Sequence, residues 1–96
     1  MWVRLTSFTP LPERVDDLRK TYRENLLPFV KSQPGNIDAL LLEAADGRGD
    51  FVSLTMWESR ESADAYESAG TYGKLIGHVS PLFEGQPALR SYEVKD

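Results

Sequence analysis

Apolar and polar positions follow two periods along this chain, and their order predicts the fold. From Trp2 to Thr9 the period is two, with Val3, Leu5 and Ser7 on one face and Trp2, Arg4, Thr6 and Phe8 on the other, as in a strand. Pro10 and Pro12 end that pattern, and Pro12 suits a first helical turn, where its missing amide is no loss. Leu11, Val15, Leu18, Tyr22, Leu26, Phe29 and Val30 then recur at spacings of three and four, an amphipathic helix with a charged outer side. Pro28 is expected to kink or end it near Leu27. From Asn36 to Ala45 the residues are too uniformly apolar for a surface helix and read as a strand covered on both faces. The turn Asp46-Gly47-Arg48-Gly49 returns the chain into Phe51 to Trp57 as an antiparallel hairpin. Ser59 is placed to cap a second helix from Arg60, with Ala63, Tyr66 and Ala69 inward. Gly70 interrupts it, Thr71 can recap it, and Tyr72, Leu75, Ile76 and Val79 continue the stripe to Pro81. After a loop at Phe83-Glu84-Gly85-Gln86-Pro87, Ala88 to Lys95 reads as the last strand.

The order is β-α-β-β-α-β, an α+β ferredoxin-like plait with a four-stranded antiparallel sheet and both helices on one face, in one domain over residues 1–96. One chain of that architecture covers one face of its sheet, yet both faces are apolar. Leu40 and Leu42 back Ile37 and Leu41, and Val52, Leu54 and Met56 back Phe51 and Trp57. Such a second face marks an interface, so the expectation is a homodimer through the sheet faces, with a pocket between sheet and helices in each subunit.

Composition narrows the chemistry. Cysteine is absent, which removes disulfides, thiolate nucleophiles and cysteine-held metals. With 15 acidic against 11 basic residues the net charge is -4, and the basic residues are scattered, so neither nucleic acid nor an anionic membrane is an expected partner. An RNA-binding domain of the same strand order would carry a basic-glycine-aromatic signature on its third strand, where this chain has Asp50-Phe51-Val52-Ser53. The start, Met1-Trp2-Val3-Arg4-Leu5, lacks a signal-peptide core, and no apolar run approaches the ~20 residues of a membrane span. The expected location is the cytoplasm. No phosphate-binding glycine loop follows a strand and no histidine pair has metal-ligand spacing, so no cofactor or metal is expected.

Several segments together resemble the antibiotic-biosynthesis monooxygenase family of dimeric α+β barrels. They are Pro34-Gly35 before an aliphatic second strand with a glycine-containing hairpin, the Trp57-Glu58-Ser59 junction leading to Ala63 and Ala65, the stretch Ser68 to Tyr72, and Tyr92-Glu93-Val94 in the closing strand. The family includes quinone-forming oxygenases and haem-degrading enzymes. At the asparagine, tryptophan and histidine of the haem-degrading branch this chain has Ser7, Tyr66 and Ile76, with His78 two positions beyond the last. Of the polyketide-oxidising pattern it keeps the junction tryptophan as Trp57, and has Ser53, Ala63 and Gly77 at the asparagine, tyrosine and arginine.

The resemblance implies a cofactor-independent monooxygenase acting on a small aromatic or polyketide-like, hydroquinone-type compound. Such chemistry needs a water-poor chamber and polar groups that take a phenolic proton and hold the anion. His78, the one group whose unperturbed pKa lies near neutrality, is the default base; its bland reading is a charge partner at a helix C-terminus. Tyr66 and Tyr72 join it as candidate catalytic residues, since a buried phenol needs a hydrogen-bond partner that a ligand can supply. Ser7, Tyr22, Ser53 and Trp57 are candidate substrate contacts, Trp57 serving otherwise as a core aromatic. The alternatives are a non-catalytic ligand-binding or dimerisation module of the same fold and, further off, a haem-degrading enzyme.

Overall fold

The computed structural model describes residues 1–47 and 50–95. Four antiparallel strands, β1 (Trp2–Pro10), β2 (Asn36–Glu43), β3 (Phe51–Trp57) and β4 (Phe83–Glu93), lie in the order β2-β3-β1-β4. That is the ferredoxin-like arrangement expected from the sequence. Central β1 pairs with β3, setting Trp2 opposite Trp57 and Phe8 opposite Phe51, and with β4, setting Arg4 opposite Ser91. The reversal between β2 and β3 starts where the Gly47 N–H donates to Ala44 O; the rest of the expected turn, residues 48–49, lies outside the described residues.

Where the sequence predicts a kink or an end near Leu27, the first helical run is interrupted by a π turn and then continues. It is α-helical over Val15–Thr21 (α1), π-helical over Tyr22–Leu26, and α-helical again over Leu27–Lys31 (α2). In the π turn the Leu27 N–H reaches back to Tyr22 O, and this wider turn delivers Pro28 to the start of α2, where it lacks no required donor. The second helical run is α3 (Arg60–Ser68) and α4 (Gly70–Val79). Ser59 caps α3 as expected, accepting from the Ser62 N–H at 3.2 Å. The break, however, is made by extended Ala69, with no side-chain cap, so Thr71 does not recap the chain. A further correction concerns the last strand. It begins at Phe83, because an irregularity between Ser7 and Thr9 of β1 absorbs Gly85 and Pro87 and lets pairing resume at Glu84.

Both helical runs pack on the sheet face carrying Arg4, Phe8, Ala39, Phe51 and Trp57. One cluster joins Phe8, Leu18, Tyr22, Leu26, Phe51, Val79 and Leu82, with Phe8 stacked on Tyr22 and Phe83. The other joins Val30, Ala39, Trp57 and Ala63. The opposite face carries Val3, Leu5, Leu40, Leu42, Val52, Leu54, Met56 and Tyr92, brought into one layer by the strand register. Helices cover only the first layer, so β2 is not covered on both faces within one chain: Leu40 and Leu42 are exposed.

Gly35 fixes the approach of the α2–β2 connection to α3. Its φ is +80°, its carbonyl accepts from the Glu58 N–H at 2.8 Å, and a Cβ there would collide with the Ser62 side chain. Gly47, also at positive φ (+73°), faces open space. Gly35→Ala is therefore expected to lose about 2–4 kcal/mol by denaturant unfolding, and Gly47→Ala only the backbone term of about 1–2 kcal/mol.

Candidate functional site

The two apolar clusters do not quite meet. Between them lies a cavity of about 50 Å³ whose floor is the helix-covered sheet face and whose roof comes from both helical runs. Thr6, Ser53 and Thr55 bring hydroxyls to the floor beside Ala39 and Trp57, because register sets Thr6 against Ser53 and Thr55 against both Arg4 and Ala39. From above come Tyr22, Leu26, Leu27 and Val30 of the first run, the π turn placing Tyr22 and Leu26 inward. The second run supplies Tyr66, Glu67, Tyr72 and Ile76. Trp57 is buried with its indole N–H donated to Thr55 Oγ1 at 2.9 Å, and its ring stacks on Tyr66 at 5.2 Å between centroids. Tyr72 meets Tyr66 edge-on at 5.0 Å, which makes one aromatic wall of three rings.

Every phenol in this wall and roof is held in its protonated form. Burial pushes Tyr22 up to about 12, against a smaller opposite pull from its hydrogen bond with Ser53. Tyr66 is raised by burial first and then by its neighbours Tyr72, Tyr22 and Glu67; Tyr72 is raised by burial and then by Glu67, with Arg4 pulling the other way. At neutral pH these groups donate hydrogen bonds and do not act as bases.

Sequence reasoning missed the charged end of the cavity. Arg4 is 8% exposed. Its Nη2 donates to Asp64 Oδ1 at 2.6 Å and its Nε to Ser91 Oγ at 3.2 Å. Glu67 Oε1 lies 2.6 Å from Nη1 but off the line of its N–H bonds, so that contact is ionic more than directed. The signal was legible: a lone cation on the strand face that also carries Phe8 must find an anion. Asp64 and Glu67, three apart on one helix, supply it.

Of the candidate residues, Tyr22, Ser53, Trp57, Tyr66 and Tyr72 line the cavity. Ser7 does not, because it shares the opposite sheet face with Val3 and Leu5 and pairs with Val52. His78 does not either. Tyr72, Ile76 and Val79 form the inward stripe of α4, and two residues past Ile76 the helix has turned His78 outward, where it is exposed beside Thr21 and Asn25. The regular course of α4 through Gly73 and Gly77 removes the irregularity that would have brought the imidazole inside.

The family model of antibiotic biosynthesis monooxygenases matches residues 1–77. The chain belongs to this family. Solved structures of the same fold include a proposed antibiotic biosynthesis monooxygenase from Nitrosomonas europaea, 19% identical, covering 98% of each chain at a TM-score of 0.85. Rv0793 from Mycobacterium tuberculosis is 22% identical over 99% of this chain and 95% of its own, with a TM-score of 0.84. A MhuD variant with two manganese protoporphyrin IX bound per active site is 23% identical over 98% of this chain and 94% of its own, at 0.81. No match is found among curated proteins. At these identities the structures show the shared fold.

The residues present in this family member do not fit a porphyrin. Its only imidazole is outside the cavity, and the phenols inside hold their protons, so no side chain of the lining supplies an axial ligand. Among the described residues no cluster of three metal-ligating side chains occurs, and no helix is long and apolar enough to cross a membrane.

Tyr22 gives the site a pH signature. Its pKa is raised on folding, so the folded chain keeps a proton that the unfolded chain loses; the associated stability is complete below about 10 and disappears as the pH rises through about 12. Tyr22 is expected to account for about 2–3 kcal/mol of the unfolding free energy lost across that window, with Tyr66 and Tyr72 adding to the fall, and Tyr22→Phe to remove its share.

Proposed function

We propose that this chain is a cofactor-independent monooxygenase of its family, oxidising a small anthrone- or hydroquinone-type aromatic in the chamber between sheet and helices. The observation that carries the reading is the lining: an aromatic and aliphatic shell whose polar groups are protonated phenols, hydroxyls and one guanidinium–carboxylate pair. Such a shell excludes water, stacks a flat ring on Trp57 and Tyr66, and offers phenolic donors to an oxyanion. An electron-rich substrate anion then reduces dioxygen itself. For an anthrone, the ring CH₂ and O₂ become a ring C=O and water, which balances without a further reductant.

The cavity must widen for this, since a single benzene ring occupies an apolar cavity of about 150 Å³. Tyr66 is the movable wall. It lines both the cavity and an outer groove of about 240 Å³ formed with Gln33, Pro34, Ser62 and Ala65. A rotation of Tyr66 away from Trp57 joins the two spaces and opens the path by which substrate arrives. The second, uncovered layer of the sheet is the dimer interface in this reading, pairing Leu40, Leu54 and Tyr92 with a second copy.

Oxygen consumption is expected with anthrones or naphthohydroquinones in metal-free buffer, at one O₂ per anthrone oxidised. Saturable binding of these compounds with no uptake above the buffer blank would instead identify a non-catalytic ligand-binding member. Separately, the protein is expected to sediment as a dimer at micromolar concentration, and Leu54→Glu, which sets a charge in the middle of the open layer, to sediment as a folded monomer.

A further inference from the structure

The charged end of the cavity has a feature that the lining alone does not explain: one buried guanidinium serves two carboxylates. Asp64 takes Nη2 in a directed bond and Ser91 takes Nε, so the geometry around those two atoms is complete. Glu67 is held differently. It sits against Nη1 without a line to its hydrogens, yet it lines the cavity, and no other carboxylate does so among the described residues. Asp64 is half exposed and Glu67 more deeply placed, so of the two it is Glu67 that a bound substrate meets.

We infer that Glu67 is the proton acceptor of this site and that Arg4 is a positioning residue whose charge passes from Glu67 to the substrate oxygen when that proton moves. The inference rests on the oxygenase reading for its substrate class. In the step itself, the O–H bond of the bound phenol or enol breaks, the proton goes to the Glu67 carboxylate, and the electron pair stays on the substrate oxygen. Glu67 becomes neutral as the substrate becomes an anion, so the total charge in the cavity is unchanged. An ion held near Arg4 is thus exchanged for another ion near Arg4, which avoids the large cost of creating a bare charge in an apolar space. Tyr66 and Tyr72, which feel the Glu67 charge and keep their protons, stand ready to donate to the new anion. A histidine is not needed, which agrees with the outward position of His78.

The exchange makes opposite demands on two measurements of one variant. Glu67→Gln keeps the shape but removes the acceptor and leaves the Arg4 charge less neutralised. Oxygen uptake with an anthrone is therefore expected to fall about 100-fold or more, in kcat rather than KM. Binding of 2-hydroxy-1,4-naphthoquinone, an anion at neutral pH, is expected to tighten about 5–10-fold, followed by fluorescence quenching of Trp57. Arg4→Met should lose both. If wild type consumes no oxygen while Glu67→Gln still binds the anion more tightly, the oxygenase reading falls and the charge exchange stands. With an active wild type, uptake unchanged in Glu67→Gln overturns the inference, and in either case so does anion binding no tighter than in wild type. Should Arg4→Met fail to fold, the Glu67→Gln pair of measurements decides alone.

Discussion

A sheet of these strands is oily on both sides, and one chain supplies helices for one side only. That imbalance follows from the side-chain period of two: Phe8, Phe51 and Trp57 go one way, so Leu54, Val52 and Leu42 must go the other. The two layers then take different roles. On the covered layer the helices do not close completely, and the gap between the two apolar clusters is the chamber. The uncovered layer is broad and free of helices, and it is the face we propose for a second copy.

The chamber owes its position to two departures from regular structure. A π turn at Tyr22–Leu26 rotates the roof so that Tyr22 and Leu26 face the floor, and the extended residue Ala69 separates α3 from α4 so that Tyr66 and Tyr72 meet edge-on. Regular helices over the same residues would pack more evenly and leave less room. The same two segments supply part of the roof and the aromatic wall of the cavity.

Much of this was written plainly in the residues. The β3 span, the Ser59 cap and the strand order followed from period, capping chemistry and turns. Local signals misled where tertiary context outweighs them. Pro28 ends an isolated α-helix, but a wider turn before it removes the steric conflict; Gly85 and Pro87 mark a loop locally, but a strand neighbour can absorb both in an irregular pairing. At the site, pattern placed the phenols correctly on the inward stripe, whereas His78 was chosen for its chemistry and two residues of helical rotation put it outside. The period of two puts Arg4 on the strand face of Trp2, Thr6 and Phe8 but does not say what pairs with a cation there. Its partners come from a helix sixty residues away, a pairing that only the fold brings together.

The division of labour between the two layers of one sheet is tested most directly by side-chain-resolved NMR of the labelled protein. Added naphthohydroquinone should shift Tyr22, Ser53, Tyr66 and Tyr72 and leave Leu40, Leu54 and Tyr92 unmoved, while dilution should shift only the second group. A ligand that moves the open layer, or dilution that moves the chamber and leaves the open layer still, would contradict it.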